Sequence, residues 1–412
     1  MCVFQILSDL KKLSKNIKVV CVSELLNDIG SSVYRPALPV LYRMLGATPL
    51  QYGMIEGLSS FFGMIGAAPA GELSDRAGRK KLYYVGHAIM GALRASWGLI
   101  SSFWLLLPLR WLYRLGMAVR YAARDPLLAE STTPENRGLA YAAYELADNI
   151  GSFMGPVLPI LVLGFVGQNL GAIRTLFFLS ALPNLLSTLL IVFTVKETVR
   201  LDGTVEERRM GFSTKLRVMA ENRNLLRFIS ITSLSSLFAM TVDLEVVYVT
   251  YGPLKATALV TTIMYVFWTF TTVLAALPAG RIVDKTGRRF AIVLSFIFHS
   301  LSMIVIILHH YVLPSIFLVP LAFAFLGLYD SFLSVASKTF VADNASPENR
   351  GMIMGLYTTV DGVCRRSLAP MIAGFLISTY SSVTPFVVGL AVSAAAMVLM
   401  TMTIIETPIE QA

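Results

Sequence analysis

Apolar residues fill this chain in runs of about twenty, separated by short polar stretches that hold most of its charge. A hydrocarbon core about 30 Å thick is crossed by roughly 20 residues of helix rising 1.5 Å each. The pattern therefore predicts an all-α membrane protein with twelve spans. They fall at 17–42, 50–72, 82–101, 103–123, 138–163, 170–194, 225–251, 256–280, 290–309, 312–338, 351–378 and 384–405. At the start, Lys11, Lys12, Lys15 and Lys18 follow the apolar stretch instead of preceding it, which is not the order of a secretory signal. Residues 196–224 form the one long polar stretch, so the expected domains are 1–195 and 225–412, each with six spans, joined by that linker.

The basic residues orient the spans. Lysines 11 to 18, Arg76, Arg79, Lys80, Lys81, Arg120, Arg124, Arg137, the linker cations, Arg281, Lys285, Arg288, Arg289, Lys338 and Arg350 all fall on one set of ends. The opposite loops hold Arg43, Arg174 and Lys255. Lys and Arg accumulate on the cytoplasmic side. Both termini are thus expected in the cytoplasm, in a multi-pass protein of the plasma membrane.

Composition narrows the classes. Of 412 residues 55% are apolar and 14% charged, against about 25% charged in soluble domains. That excludes a soluble enzyme, a disordered chain and a secreted disulfide scaffold. The net charge of +9 belongs to the topology, so no nucleic-acid partner is implied. Cys2, Cys21 and Cys364 lie far apart, and His87, His299, His309 and His310 are scattered, so neither a disulfide framework nor a metal site is expected. His309 and His310 are expected at an outer loop. No GxxxxGK[ST] is present, so ATP is not the expected energy source, and no cofactor is implied.

The chain repeats itself. Gly71-Glu-Leu-Ser-Asp75-Arg76-Ala-Gly78-Arg79-Lys80 recurs as Gly280-Arg-Ile-Val-Asp284-Lys-Thr-Gly287-Arg288-Arg289, 209 positions later. Pro134-Glu-Asn-Arg137-Gly138 recurs as Pro347-Glu-Asn-Arg350-Gly351, 213 positions later. In each half an Asp follows that Arg by eleven residues (Asp148, Asp361), and an acid precedes it by seven (Glu130, Asp343). Duplicated six-helix halves are the architecture of secondary transporters, with the substrate near the midplane. The glycines permit a tight turn and close helix approach.

The G-x-L-x-D-R-x-G-R-K-K loop after span 2, with its weaker copy after span 8, resembles the signature loop of the major facilitator superfamily. The resemblance covers nearly the whole chain. It implies two pseudo-symmetric six-helix bundles around a central cavity, alternating access, and a chain that works as a monomer. It also implies that Asp75 faces the positive N-terminus of helix 11 near Gly351, with Arg76 and Arg79 around it, as a latch on the cytoplasmic side. The alternative is that these cations only set topology. The run from Arg114-Leu-Gly116 through Arg124-Asp125, then Arg137-Gly138 and Gly155-Pro156, resembles prokaryotic permeases and drug exporters.

Ionisable residues within spans are costly and mark functional sites. Span 1 places Glu24, Asp28, Ser31 and Arg35 on one helical face. Span 4 carries Arg110 and Arg114 at i, i+4, with Arg114 about level with Asp28 at 1.5 Å per residue. An Asp28 pair with Arg114 or Arg110 is expected, either coupling protons or fixing helix packing. Burial in low dielectric favours a neutral carboxyl, which makes Glu24, Asp28 and Asp148 the candidate proton carriers. Span 5 continues as Gly151-Ser-Phe-Met-Gly155-Pro156, a helix-contact motif with a kink; by resemblance it marks antiporters, and plain packing is the alternative. In the second half Asp361 and Arg365 share a face of span 11, with Asp330 of span 10 expected to partner Arg366. Asp243 and Glu245 are expected as solvated charges at the outer end of span 7. The expected function is a secondary transporter, a proton-coupled exporter of a small solute; the alternatives are an importer of an organic anion, or a sensor or channel on the same scaffold. No HExxH or nucleophile-base constellation points to an enzyme.

Overall fold

The computed structural model describes residues 13–133, 136–198, 222–238, 242–345 and 350–404, and among these every regular element is helical. In order they are α1 (Lys15–Tyr34), α2 (Leu38–Met44), α3 (Pro49–Ile65), α4 (Ala67–Ala77), α5 (Arg79–Trp97), α6 (Leu106–Glu130), α7 (Arg137–Met154), α8 (Val157–Phe165) and α9 (Leu170–Thr194). They continue as α10 (Arg223–Leu237), α11 (Val242–Tyr251), α12 (Ala258–Thr286), α13 (Arg288–Tyr311), α14 (Val319–Asn344), α15 (Arg350–Gly362), α16 (Ala369–Thr379) and α17 (Thr384–Thr403). A π turn, Val363–Leu368, joins α15 to α16.

Several starts and stops follow from local chemistry. Ser14, Asn169 and Asn222 each accept a backbone N–H of the helix that follows, satisfying donors the first turn leaves open. Gly78 and Gly287, at the same place in the two repeats, turn the chain with φ of +94° and +96°, a region side chains avoid. Pro156, lacking an N–H, separates α7 from α8.

Among the described residues, six helices are long and apolar enough to cross a membrane: Leu139–Phe165, Leu170–Thr194, Ala258–Thr286, Arg288–Tyr311, Val319–Asn344 and Thr384–Thr403. The remaining expected spans carry buried charge, as in α1, α5 and α6, or are interrupted, as between α3 and α4. Large apolar side chains face outward, with Phe165 at 87%, Phe317 at 86% and Phe193 at 79% exposure. Such a surface suits lipid and not water. This is a multi-pass membrane protein.

The helices pack as two compact units: the described residues of 1–47, 58–205 and 257–262, and those of 48–57, 206–256 and 263–412. Inside the first, α5 packs on α6 and α9, and α1 on α9 and α7. Inside the second, α13 packs on α14 and α17, and α10 on α17 and α15. Each pairing in one unit has its repeat counterpart in the other. Most of the linker, 199–221, lies outside the described residues.

Candidate functional site

On α1, one turn apart, Glu24 and Asp28 are both buried. Glu24 accepts a charge-assisted bond from Arg120 at 2.6 Å, and Arg124 lies 3.7 Å from its other oxygen. Arg124 also donates to the Tyr144 hydroxyl at 2.5 Å and pairs with Asp125 at 2.6 Å. The Tyr121 ring covers both guanidinium groups at 4.5 Å. One acid is thus held by two cations in a buried site.

Asp28 has other company. Glu24, Asp28 and Asp148 each place a carboxylate oxygen within 4.8 Å of the other two. Asn27 donates to Asp28 Oδ1 at 3.4 Å, and Oδ2 has no hydrogen-bond partner among the described residues. Asp148 reaches this place because α7 lies against α1. A Cβ on Gly151 would fall 2.5 Å from the Leu25 carbonyl oxygen, and one on Gly155 would fall 2.5 Å from Ser32 Cβ. The Gly151/Gly155 spacing therefore performs helix contact, one turn beyond Asp148. Gly151→Ala should cost about 1–3 kcal/mol by overpacking, read as a lowered unfolding temperature in detergent. Gly164→Ala, where an added Cβ meets nothing within 4 Å, is the control; equal stability of the two variants would refute the contact.

The expected Asp28 pairing with Arg114 or Arg110 does not form. The cations that join the carboxylates are Arg120 and Arg124, which the sequence reading placed at the inner surface. The reason is register: α6 begins at Leu106 after a 3₁₀ turn and runs to Glu130, so Arg120 lies inside the bundle beside Glu24. Arg110 lies over the Trp97 and Tyr113 rings at 4.9 and 5.4 Å, and Arg114 Nη1 lies 4.0 Å from Met117 Sδ.

Arg94 on α5 escaped the sequence reading. It is fully buried and donates to Ser31 Oγ (2.7 Å), Tyr113 OH (2.8 Å), Asn184 Oδ1 (3.0 Å) and Asn27 Oδ1 (3.2 Å), tying α1, α5, α6 and α9 together. The signal was available: it is an arginine in the middle of span 3, under the same rule that singled out Arg110.

In the signature loop, Asp75 pairs with Arg79 at 2.5 Å, four residues on. Arg79 also lies 3.3 Å from Glu130 and donates to Ser74 Oγ at 3.0 Å. The helix start held by an acid is that of α5, where Glu197 accepts the backbone N–H groups of Arg79 and Lys80 at 2.9 and 3.1 Å. The expected acceptor near Gly351 follows residues 346–349, which lie outside the described residues. Arg76 and Asp284 are exposed. Gly71 and Gly280 have open space where a Cβ would point, so they serve no close approach among the described residues. The second copy repeats the first through Arg288, 2.8 Å from Asp343, the counterpart of Arg79 with Glu130.

In the second unit Asp330 pairs with Arg365, not with Arg366 as expected, and accepts Trp268 Nε1 at 2.8 Å. Arg365 stands in the π turn, whose extra residue rotates it toward α14. Asp361 accepts the Ser236 hydroxyl at 2.6 Å. Two expectations fail on burial. Glu245 is fully buried and not a solvated interface charge, because α11 turns it inward to Ser302. The side chain of Asp243 lies outside the described residues. His309 is fully buried in the last turn of α13, its Nδ1 3.0 Å from Tyr248 OH, because that helix runs on to Tyr311.

Comparison with known proteins agrees with this architecture. An uncharacterized MFS-type transporter of Methanocaldococcus jannaschii is 25% identical over 371 residues, 89% of each chain. Among solved structures, a mutant of the nucleoside transporter NupG superposes with a TM-score of 0.77 at 13% identity, covering 95% of this chain and 100% of its own. A D-xylose–proton symporter superposes with a TM-score of 0.71 at 15% identity, covering 97% and 99%. The sequence model of the Major Facilitator Superfamily matches residues 20–257 and again 253–412. Matched along almost its whole length, and with its helices packed as two copies of one pattern, the chain belongs to the Major Facilitator Superfamily and is an MFS-type transporter.

Proposed function

We propose that this transporter is a proton-coupled antiporter exporting a small solute. The observation that carries the reading is the carboxylate cluster in the first unit. Glu24 has two guanidinium partners, whereas Asp28 and Asp148 share one small site with it and add negative charge there. Carboxylates crowded by like charge in low dielectric favour their neutral, protonated form. Asp28 and Asp148 are the coupling pair, and Glu24 is their fixed, ion-paired neighbour. Twelve spans in two six-helix bundles, 1–195 and 225–412 with the 196–224 linker cytoplasmic, would work by alternating access. The chain works as a monomer in the plasma membrane, with its termini inside. Export is preferred for the Gly151, Gly155 and Pro156 motif beside Asp148. A D-xylose–proton symporter shares the fold, so the fold accommodates proton coupling.

Import of an organic anion is the second reading, and Arg94 and Arg110 favour it. Both guanidinium groups lie against the Tyr113 ring, at 5.5 and 5.4 Å, which brings two positive charges together. Inside-out vesicles holding purified protein separate the two. An imposed pH gradient should drive uptake of the exported solute, found beforehand by thermal-shift screening of compound classes. Flux in the opposite sense selects the importer. For topology, Lys80→Cys and Lys285→Cys should react with an impermeant thiol reagent only from the cytoplasmic side; labelling in intact cells would reverse the orientation.

A further inference from the structure

The second unit holds an acid that none of the pairings above employs. Glu245 on α11 is fully buried. Ser302 on α13 donates its hydroxyl to Oε1, and Oε2 has no hydrogen-bond partner in the protein among the described residues. Its charged neighbour is another acid, Asp330 on α14, which Arg365 and Trp268 already hold. On α13, His299 stands one turn before Ser302, stacked on Tyr329 at 4.3 Å, with Nδ1 3.4 Å from Ser393 Oγ of α17. On α11 itself, Tyr248 OH lies 3.0 Å from His309 Nδ1 and 3.4 Å from His310 Nδ1. No cation pairs with Glu245 among the described residues.

Packing gives no account of an acid here. If ionised, Glu245 is a buried charge without a counter-ion among the described residues; if protonated, only the Ser302 hydroxyl oxygen stands ready among them to accept its O–H, from the Oε1 side. Either state leaves Oε2 unsatisfied at a cost of about 1–3 kcal/mol or more, and an apolar or amide side chain of similar size would avoid the charge. Buried polar groups left unpaired call for a functional explanation, and an intramembrane acid facing the bundle interior is where proton sites are found. We propose that Glu245 is a second proton-carrying site, in the C-terminal unit, taking up one proton from water as a carboxylate and returning it in each transport cycle. This rests on the proton-coupled reading but not on Asp28 or Asp148.

Infrared difference spectra over a pH titration of the purified protein test the site directly. With Asp28→Asn and Asp148→Asn in the background, a protonated-carboxyl C=O band should remain, be missing once Glu245→Gln is added, and change frequency once Ser302→Ala is added, which removes the hydroxyl donor. The same band once Glu245→Gln is added overturns the proposal. If Glu245→Gln does not fold, Ser302→Ala decides alone, and an unmoved band overturns it. In vesicles Glu245→Gln should keep substrate counterflow and lose pH-driven flux; retained pH-driven flux also overturns it. A wild type without pH-driven flux defeats the coupling reading as a whole, while the infrared band still reports whether Glu245 titrates.

Discussion

Arg120→Ala should destabilise the protein by about 3–5 kcal/mol, the cost of stripping a buried carboxylate of its main partner. The side chains of Arg120 and Glu24 are 1% and 2% exposed and meet at 2.6 Å. Arg124, 3.7 Å from the other oxygen, compensates only in part. The double variant Glu24→Gln with Arg120→Ala should be more stable than Arg120→Ala alone, since no lone charge then remains. Unfolding in detergent, followed for the two single variants and the double, gives the coupling energy. Additive losses would mean that the pair contributes nothing as a pair. This cycle belongs to Glu24 and Arg120, because Arg110 and Arg114 do not join the cluster.

The second large effect concerns transport. Asp28→Asn removes one carboxyl from the three that crowd within 4.8 Å, so the site no longer needs a proton to relieve repulsion between like charges. Counterflow of the solute should persist, and dependence of flux on a pH gradient should disappear. Asp148→Asn should behave alike, because both acids serve one site. Glu24→Gln should instead impair folding, because it unpairs Arg120. Full pH-driven flux in both Asp28→Asn and Asp148→Asn would sink the coupling role. Loss of expression without loss of specific activity would make Asp28 a packing residue. The two outcomes separate chemistry from architecture.

Much of the architecture was legible in the residues. Length and hydropathy place the helices, since crossing a lipid core leaves a helix little choice of length. The repeat is visible because both copies keep the glycine turn before a basic run, and Gly78 and Gly287 both adopt the positive φ that only glycine accepts readily. The 196–224 linker remains an expectation from charge, since residues 199–221 lie outside the described residues. Partner choice was far less legible. Helical periodicity says that Glu24 and Asp28 share a face, and that Arg110 and Arg114 do, but not the vertical offset between two helices. A 3₁₀ turn before Leu106 and a helix running to Glu130 shift that offset. Arg120 takes Glu24 as a result.

The sequence by itself determined that this is a multi-pass helical transporter built from a repeated half, because lipid leaves backbone polar groups only internal partners and so writes each span as an apolar run. Tertiary structure alone decided which charges meet. Asp148 joins Asp28 because Gly151 and Gly155 let α7 lie on α1; Arg365 reaches Asp330 because a π turn rotates it; and Glu245 is buried because α11 faces Ser302. Each of these depends on how one helix is rotated against another. A one-dimensional pattern records which side of a helix is polar, whereas pairing depends on rotation, register and kink, which packing settles.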